Sequence, residues 1–185
     1  MTKTFLDQIG NTITIPFPPK RIISLVPSQT ELLFHLGLDE EIVGITKFCI
    51  HPSHQFRSKA KIGGTKQLKL DIIQNLKPDV IIANKEENDK AQIEVLQRGF
   101  PVWISDVKTI PDAIDMIHTL GKMTDKSVFS EKLGVQLNKN FDKLALYPRD
   151  EQIKKVAYFI WRKPFMVAAS GTFIDDILKL SLIHI

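Results

Sequence analysis

One cysteine in 185 residues leaves no internal disulfide framework to hold the chain together. No stretch approaches the roughly 20 apolar residues that a membrane-spanning helix needs. The opening residues, MTKTFLDQIGNTITIPFPP, lack the continuous apolar core of an export signal, and as they stand they would leave the chain in the cytoplasm. No strong charge imbalance exists either. The formal net charge is +4, and the basic residues are interleaved with acids, which excludes a nucleic-acid surface from the reading. No Gly-x-Ser-x-Gly elbow surrounds Ser28 and spacing places no base beside it, so it is not read as a nucleophile. What is present is 43% hydrophobic and 25% charged, a globular composition sufficient for one domain or somewhat more.

The stretch from Lys20 to Gly37, KRIISLVPSQTELLFHLG, organises the rest. Ile22, Ile23, Leu25 and Val26 form a short apolar run with a β-branched bias, which predicts a buried strand. Pro27 ends it, because proline cannot donate to a ladder. Ser28 and Glu31 have capping-box spacing and predict a helix beginning at Ser28, with Gly37 placed to stop it. A strand, a tight turn and a helix of this kind present backbone N–H groups at the carboxyl edge of a sheet. Open α/β sheets bind ligands there.

Around this unit the chain alternates. Residues 5–15 read as an extended arm with a turn at Gly10-Asn11, and Pro16, Pro18 and Pro19 stiffen the entry to the main fold. Further strands are predicted at 42–46, 80–83 and 102–104, with helices at 71–77 and up to Arg98. Short strands alternating with helices imply a parallel, right-handed βαβ sheet. Its exit loops at 27–29, 48–51 and 84–88 would then share one edge. The pattern changes at Thr109. Pro111 early in the turn and Asp112 three residues after Thr109 signal a helix start, with Gly121 as an interruption. From Ser127, Leu133, Leu137, Phe141 and Leu144 repeat at helical spacing and end before Tyr147-Pro148. A helix of about 20 residues spans about 30 Å, a length that suits a strut between two lobes. A strand at 156–160 and a helix capped by Thr172 and Asp175 then begin a second sheet. The expected organisation is an arm (1–19), a Rossmann-like α/β lobe with a parallel sheet (20–108), connecting helices with a long interlobe helix (109–148), and the start of a second α/β lobe (149–185).

Four motifs in this order, RIISLVPSQTELLFHLG, IVGIT, LKPDVIIA and SGTFIDDILKL, resemble the substrate-binding proteins of ABC importers for vitamin B12 and iron–siderophores. In that group a rigid helix joins two lobes, and the vitamin B12-binding branch is the nearest. The resemblance covers Arg21 to Leu180. It implies a binding protein that catalyses nothing, uses no catalytic cofactor and acts as a monomer. Such a protein carries cobalamin or a ferric chelate in an interlobe cleft to a membrane permease, and it works in the periplasm or at the membrane. Carried over by residue, Pro27, Ser28 and Gln29 form the first ligand-facing turn. Phe48 stands where a B12-binding member has a tyrosine on the corrin, while Thr65 and Asn84 stand where it has tryptophans. Trp161 falls near an aromatic position of the second lobe, and Ser170-Gly171 turn the chain beside it. Asp71 aligns with an acid that pairs with a permease arginine. The family continues past Leu180 with a full second sheet, so the resemblance implies a truncation and marks residues 181–185 as foreign to the pattern.

Other residues carry two readings each. Cys49 and His51, with Glu86 and Glu87 on another loop, form an incomplete donor set for a soft or borderline metal, and a structural or solvated role is commoner. Lys66, Lys69 and Lys85 could attract an anionic ligand, or be ordinary surface lysines. Trp161, near Phe159 and Phe165, fits a stacking platform and a core aromatic equally. Asp71 has an independent explanation in the helix dipole. Two rival functions use the same scaffold: a cytoplasmic ligand-handling or sensor protein, and a metal-using enzyme, against which the single cysteine counts.

Overall fold

The computed structural model describes residues 1–145, 154–180 and 183–184. The chain begins with an antiparallel hairpin, β1 (Thr2–Leu6) and β2 (Thr12–Pro16). Its turn falls at the predicted place but is wider than a two-residue loop. The buried Asp7 carboxylate organises it, accepting from Ile9 N at 3.1 Å, Asn11 N at 2.6 Å and Asn11 Nδ2 at 3.1 Å.

The predicted parallel sheet follows. Its strands are β3 (Ile22–Ser24), β4 (Ile42–Ile45), β5 (Ala60–Lys61), β6 (Val80–Asn84) and β7 (Val102–Ser105), in the order β5-β4-β3-β6-β7. The helices between them are α1 (Pro27–His35), α2 (Ser53–Ser58), α3 (Leu70–Leu76) and α4 (Lys90–Gln97). The central strands read as unbroken apolar runs because both of their faces are covered. Ile23, Ile81, Ile73, Ile62, Leu96 and Val102 meet in one buried core. Trp103 is fully buried in β7, and its indole N–H donates to Leu6 O at 3.1 Å, tying the hairpin to the sheet edge.

Three local expectations are corrected. α1 starts at Pro27, not Ser28; Val26 is its cap position and no side chain caps it. Proline fits the first helical position because its φ is preset and its missing N–H is not needed there. Thr30 N is bonded to Val26 O at 3.0 Å and is therefore not one of the free N–H groups expected at the turn. The polar, basic stretch after Pro52, where no element is predicted, holds α2 and β5. Both are short, and α2 buries no residue, so neither leaves an apolar period.

The chain divides into two compact units, Met1–Asp106 with Thr119–Ser130, and Val107–His118 with Glu131–Ile185. The helices α5 (Ile110–Met123) and α6 (Ser127–Ala145) contribute residues to both. Gly121 does not interrupt α5 but lies inside it. A Cβ there would overlap Ser130 of α6, so the glycine serves close helix approach. The α5 start is as predicted: Asp112 Oδ2 accepts from Thr109 N at 2.9 Å and Lys108 N at 3.1 Å, and Asp112 N donates to Thr109 Oγ1 at 3.2 Å. The expected end of α6 at Tyr147-Pro148 lies outside the described residues.

The second unit contains β8 (Lys154–Lys155) parallel to β11 (Ile183–His184), a hairpin of β9 (Phe159–Trp161) and β10 (Met166–Val167), and α7 (Phe173–Leu180). The strand expected at 156–160 is thus β9, three residues later at its start. Thr172 caps α7 through Asp175 N at 3.3 Å, and Asp175 Oδ2 accepts from Gly171 N at 3.0 Å.

Candidate functional site

Parallel neighbours place their carboxyl ends on one edge. β4, β3 and β6 are consecutive in the sheet, so the loops after them converge there. The loop roots are polar and buried. Thr30 Oγ1 lies 2.7 Å from Ser24 Oγ, 2.8 Å from Val26 O and 3.1 Å from Cys49 Sγ. Thr46 Oγ1 is 3.1 Å from the same sulfur. This cluster joins the end of β3, the first turn of α1 and the exit of β4. It gives Cys49 a structural role, with its side chain turned inward while His51 is exposed. Among the described residues, no three His, Cys, Asp or Glu side chains come together to hold a metal. Lys61, whose Nζ donates to the carbonyls of Phe56 and Lys59, is held below the ordinary lysine pKa by burial, and nearby Cys49 acts in the opposite direction.

The first turn divides its residues. Pro27 is half-buried and Ser28 is exposed. Gln29 points inward: it is 1% exposed, and its Nε2 donates to Ser105 Oγ and, at 3.4 Å, to Ala83 O. It braces α1 against β6 and β7. On the next loop Phe48 is 51% exposed, and its ring rests on the Gly64 backbone, where an added Cβ would come within 3.1 Å of Cε2. Lys47 Nζ lies 5.1 Å from the ring centroid. Ile50, which the sequence did not single out, is also exposed beside it.

The third loop is spent largely on itself. Asn84 Oδ1 accepts from Glu86 N and Glu87 N, both at 2.9 Å, and its Nδ2 donates to Ser105 Oγ at 3.0 Å. Asn88 links Asn84 N (2.8 Å) to Thr65 O (3.0 Å). Lys66 Nζ donates to Glu86 O at 2.6 Å, so its charge is committed to this loop. Lys85 pairs with Asp106 at 2.6 Å. Thr65, Lys66, Asn84 and Lys85 are thus bonded into the loops, while Ser28, Phe48 and Ile50 are among the exposed side chains there, beside the charged Lys47, Lys66, Lys85, Glu86 and Glu87. Ser105, Asp106 and Thr46 are supporting residues that sequence reasoning missed. For Thr46 and Ser105 the signal was a hydroxyl residue closing or directly following an apolar strand, as also at Ser24.

Asp71 is exposed in the first turn of α3. In the second unit Trp161 is 63% exposed, which removes the core-aromatic reading, and its N–H donates to Lys163 O at 2.9 Å. Ser170 is exposed, and Gly171 takes a φ of +78°.

The parallel sheet and its gathered exit loops define an α/β binding lobe. The chain belongs to the periplasmic binding protein family, whose model matches residues 22–183. It is 26% identical over 178 residues to the vitamin B12-binding protein of Vibrio cholerae, a match that covers 96% of this chain and 64% of that protein. The crystal structure of the periplasmic vitamin B12-binding protein BtuF of Vibrio cholerae superposes with a TM-score of 0.80 at 25% identity, covering 91% of this chain and 66% of that one. A possible iron-binding (periplasmic solute-binding) protein from Staphylococcus epidermidis gives a TM-score of 0.75 at 26% identity, covering 90% of this chain and 67% of that one. This chain thus spans less than two thirds of the length of its curated relative.

Proposed function

We propose that this chain captures a corrinoid, with an iron chelate as the second cargo class, and delivers it to the membrane permease of an ABC importer. The proposed place of action is the periplasm or the outer face of the membrane. Capture needs no covalent step: a flat ligand lies over the carboxyl edge of the sheet and is later released. One observation carries the reading. Phe48 is held open to solvent on the Gly64 backbone, at the edge where the loops of three neighbouring parallel strands meet. An exposed aromatic on a preformed support offers contact area at little ordering cost. The vitamin B12-binding relatives support the corrin, and the Staphylococcus epidermidis protein supports iron.

The test is a titration of the chain with cyanocobalamin, followed by corrin absorbance. Saturable binding is expected, and Phe48→Ala should weaken it about tenfold, the worth of one well-placed aromatic contact. Failure of cyanocobalamin at several hundred micromolar, with a ferric siderophore binding, would remove the corrin in favour of the chelate.

A further inference from the structure

A crevice of about 390 Å³ opens on the flank of the first unit, lined by Ile9 and Asn11 of the hairpin turn, Ile93 and Gln97 of α4, and Ile104 of β7. Pro27, Ser28 and Phe48 do not line it. Its size lies in the range of small-molecule sites. Its hairpin wall is pre-formed. Asp7 holds the turn by three hydrogen bonds, and the turn is pinned to β7 by Gln8 N to Ile104 O at 3.0 Å and Asp106 N to Gln8 Oε1 at 3.1 Å.

The lining chemistry is specific. Ile9, Ile93 and Ile104 give an aliphatic floor. The charges around it are matched: Lys85 pairs with Asp106 at 2.6 Å, and Lys90 faces Glu94 at 3.8 Å. Asn84 and Asn88 are committed to their own loop. Two carboxamides remain to face a ligand. Asn11 gives its Nδ2 to Asp7 and presents Oδ1 as an acceptor, and Gln97 carries both a donor and an acceptor. The same two residues also line a second, shallower groove of about 460 Å³ that continues along Thr12–Thr14 and Gly99–Val102.

We propose that this crevice is a binding site for an uncharged aliphatic amide. The ligand's N–H donates to Asn11 Oδ1, its C=O accepts from Gln97 Nε2, and its aliphatic group lies on the three isoleucines. Lys85, Lys90 and Glu94 also line the crevice, but their pairing with Asp106 and with each other leaves no unmatched charge to offset the desolvation of a charged ligand. The chemistry fits both a free small amide and an extended peptide segment continuing into the second groove.

The probe is N-acetyl-leucinamide, added to the isotopically labelled full chain and followed by amide chemical shifts. Saturable shifts confined to Ile9, Asn11, Ile93, Gln97 and Ile104 are expected, with a Kd on the order of 1 mM for so small a ligand. Gln97→Ala, on the solvent face of α4, should weaken binding about tenfold, the effect of one lost hydrogen bond. Acetamide, without the aliphatic group, and zwitterionic leucine, with charge, should each bind at least about tenfold more weakly. A capped Ala-Ala-Leu-Ala-Ala peptide separates the sources: about tenfold tighter binding assigns a peptide segment, and equal binding a small molecule. Absence of saturable shifts at about 50 mM would overturn the proposal. So would shifts centred on Phe48 and Ile50, or binding unchanged in Gln97→Ala.

Discussion

Gln29 marks the limit of what a linear reading shows about single residues. The resemblance placed it on the ligand-facing turn with Pro27 and Ser28, yet it is buried and bonded to Ser105 and Ala83. The partner lies 76 residues away, on a strand whose neighbours only the topology reveals. Gln29→Ala is expected to lower stability by about 1 kcal/mol, because it removes a buried hydrogen bond, while the Ser105 hydroxyl keeps Asn84 Nδ2 and Ala83 O as partners. Chemical denaturation measures this; unchanged stability with weakened cyanocobalamin binding would restore the ligand-facing role. Shorter separations, 20 and 21 residues, likewise hid the commitments of Lys66 and Lys85, read as lysines that could attract an anion but already partnered. Phe48 was singled out only through the resemblance, which set it where a relative has an aromatic, and the structure leaves its ring 51% exposed. Asp71 is open to solvent at the α3 start, and its proposed role is permease docking. Asp71→Ala should leave cyanocobalamin affinity unchanged while weakening co-sedimentation with permease-bearing vesicles. An equal fall in ligand affinity would contradict that role.

At the scale of elements, periodicity and caps located most strands and helices of the first unit to within a residue or two. They failed where an element had no apolar period to show. α2 and β5 cover six and two residues and occupy a polar stretch. Gly121 failed for a different reason. Glycine in a helical pattern reads as a stop, but here Ser130 of another helix requires the missing side chain. The start of α5 was legible because its partners are three residues apart, and its physics is testable. Burial pushes the Asp112 carboxyl up, but hydrogen bonds from the Thr109 hydroxyl and the Lys108 and Thr109 backbones, with the Lys108 charge, hold it below its ordinary pKa. A carboxyl depressed in the folded state adds stability that is complete above its unfolded pKa. That stability is lost as pH falls through the folded value. Helicity-monitored denaturation should therefore weaken as pH drops below about 4, the ordinary aspartate range. Asp112→Asn should flatten this part of the profile, and a profile identical to the parent would refute the capping account. Thr109→Ala should cost about 1 kcal/mol at neutral pH.

The whole molecule was legible as an architecture. Apolar runs bounded by turn residues imply a parallel sheet, and the sheet is there in the predicted sense. Family membership rests on a match to residues 22–183, most of the chain. The second unit carries a different message. Its hairpin leaves Phe159 at 60%, Trp161 at 63% and Phe165 at 74% exposure, with Tyr158, Met166 and Val167 also open. Phe159 and Phe165 meet edge to face at 5.8 Å, and little else among the described residues covers them. Large aromatic surfaces of this kind are adhesive in water. For anyone purifying the chain by itself, recovery rather than activity becomes the first readout. Light scattering should climb with concentration and fall in mild non-ionic detergent. A Trp161→Ser, Phe165→Ser pair should stay clear at concentrations where the parent turns cloudy, and equal turbidity in both would move the blame elsewhere. The handling of this protein is thus written into residues 158–167, far along the chain from the five-stranded sheet.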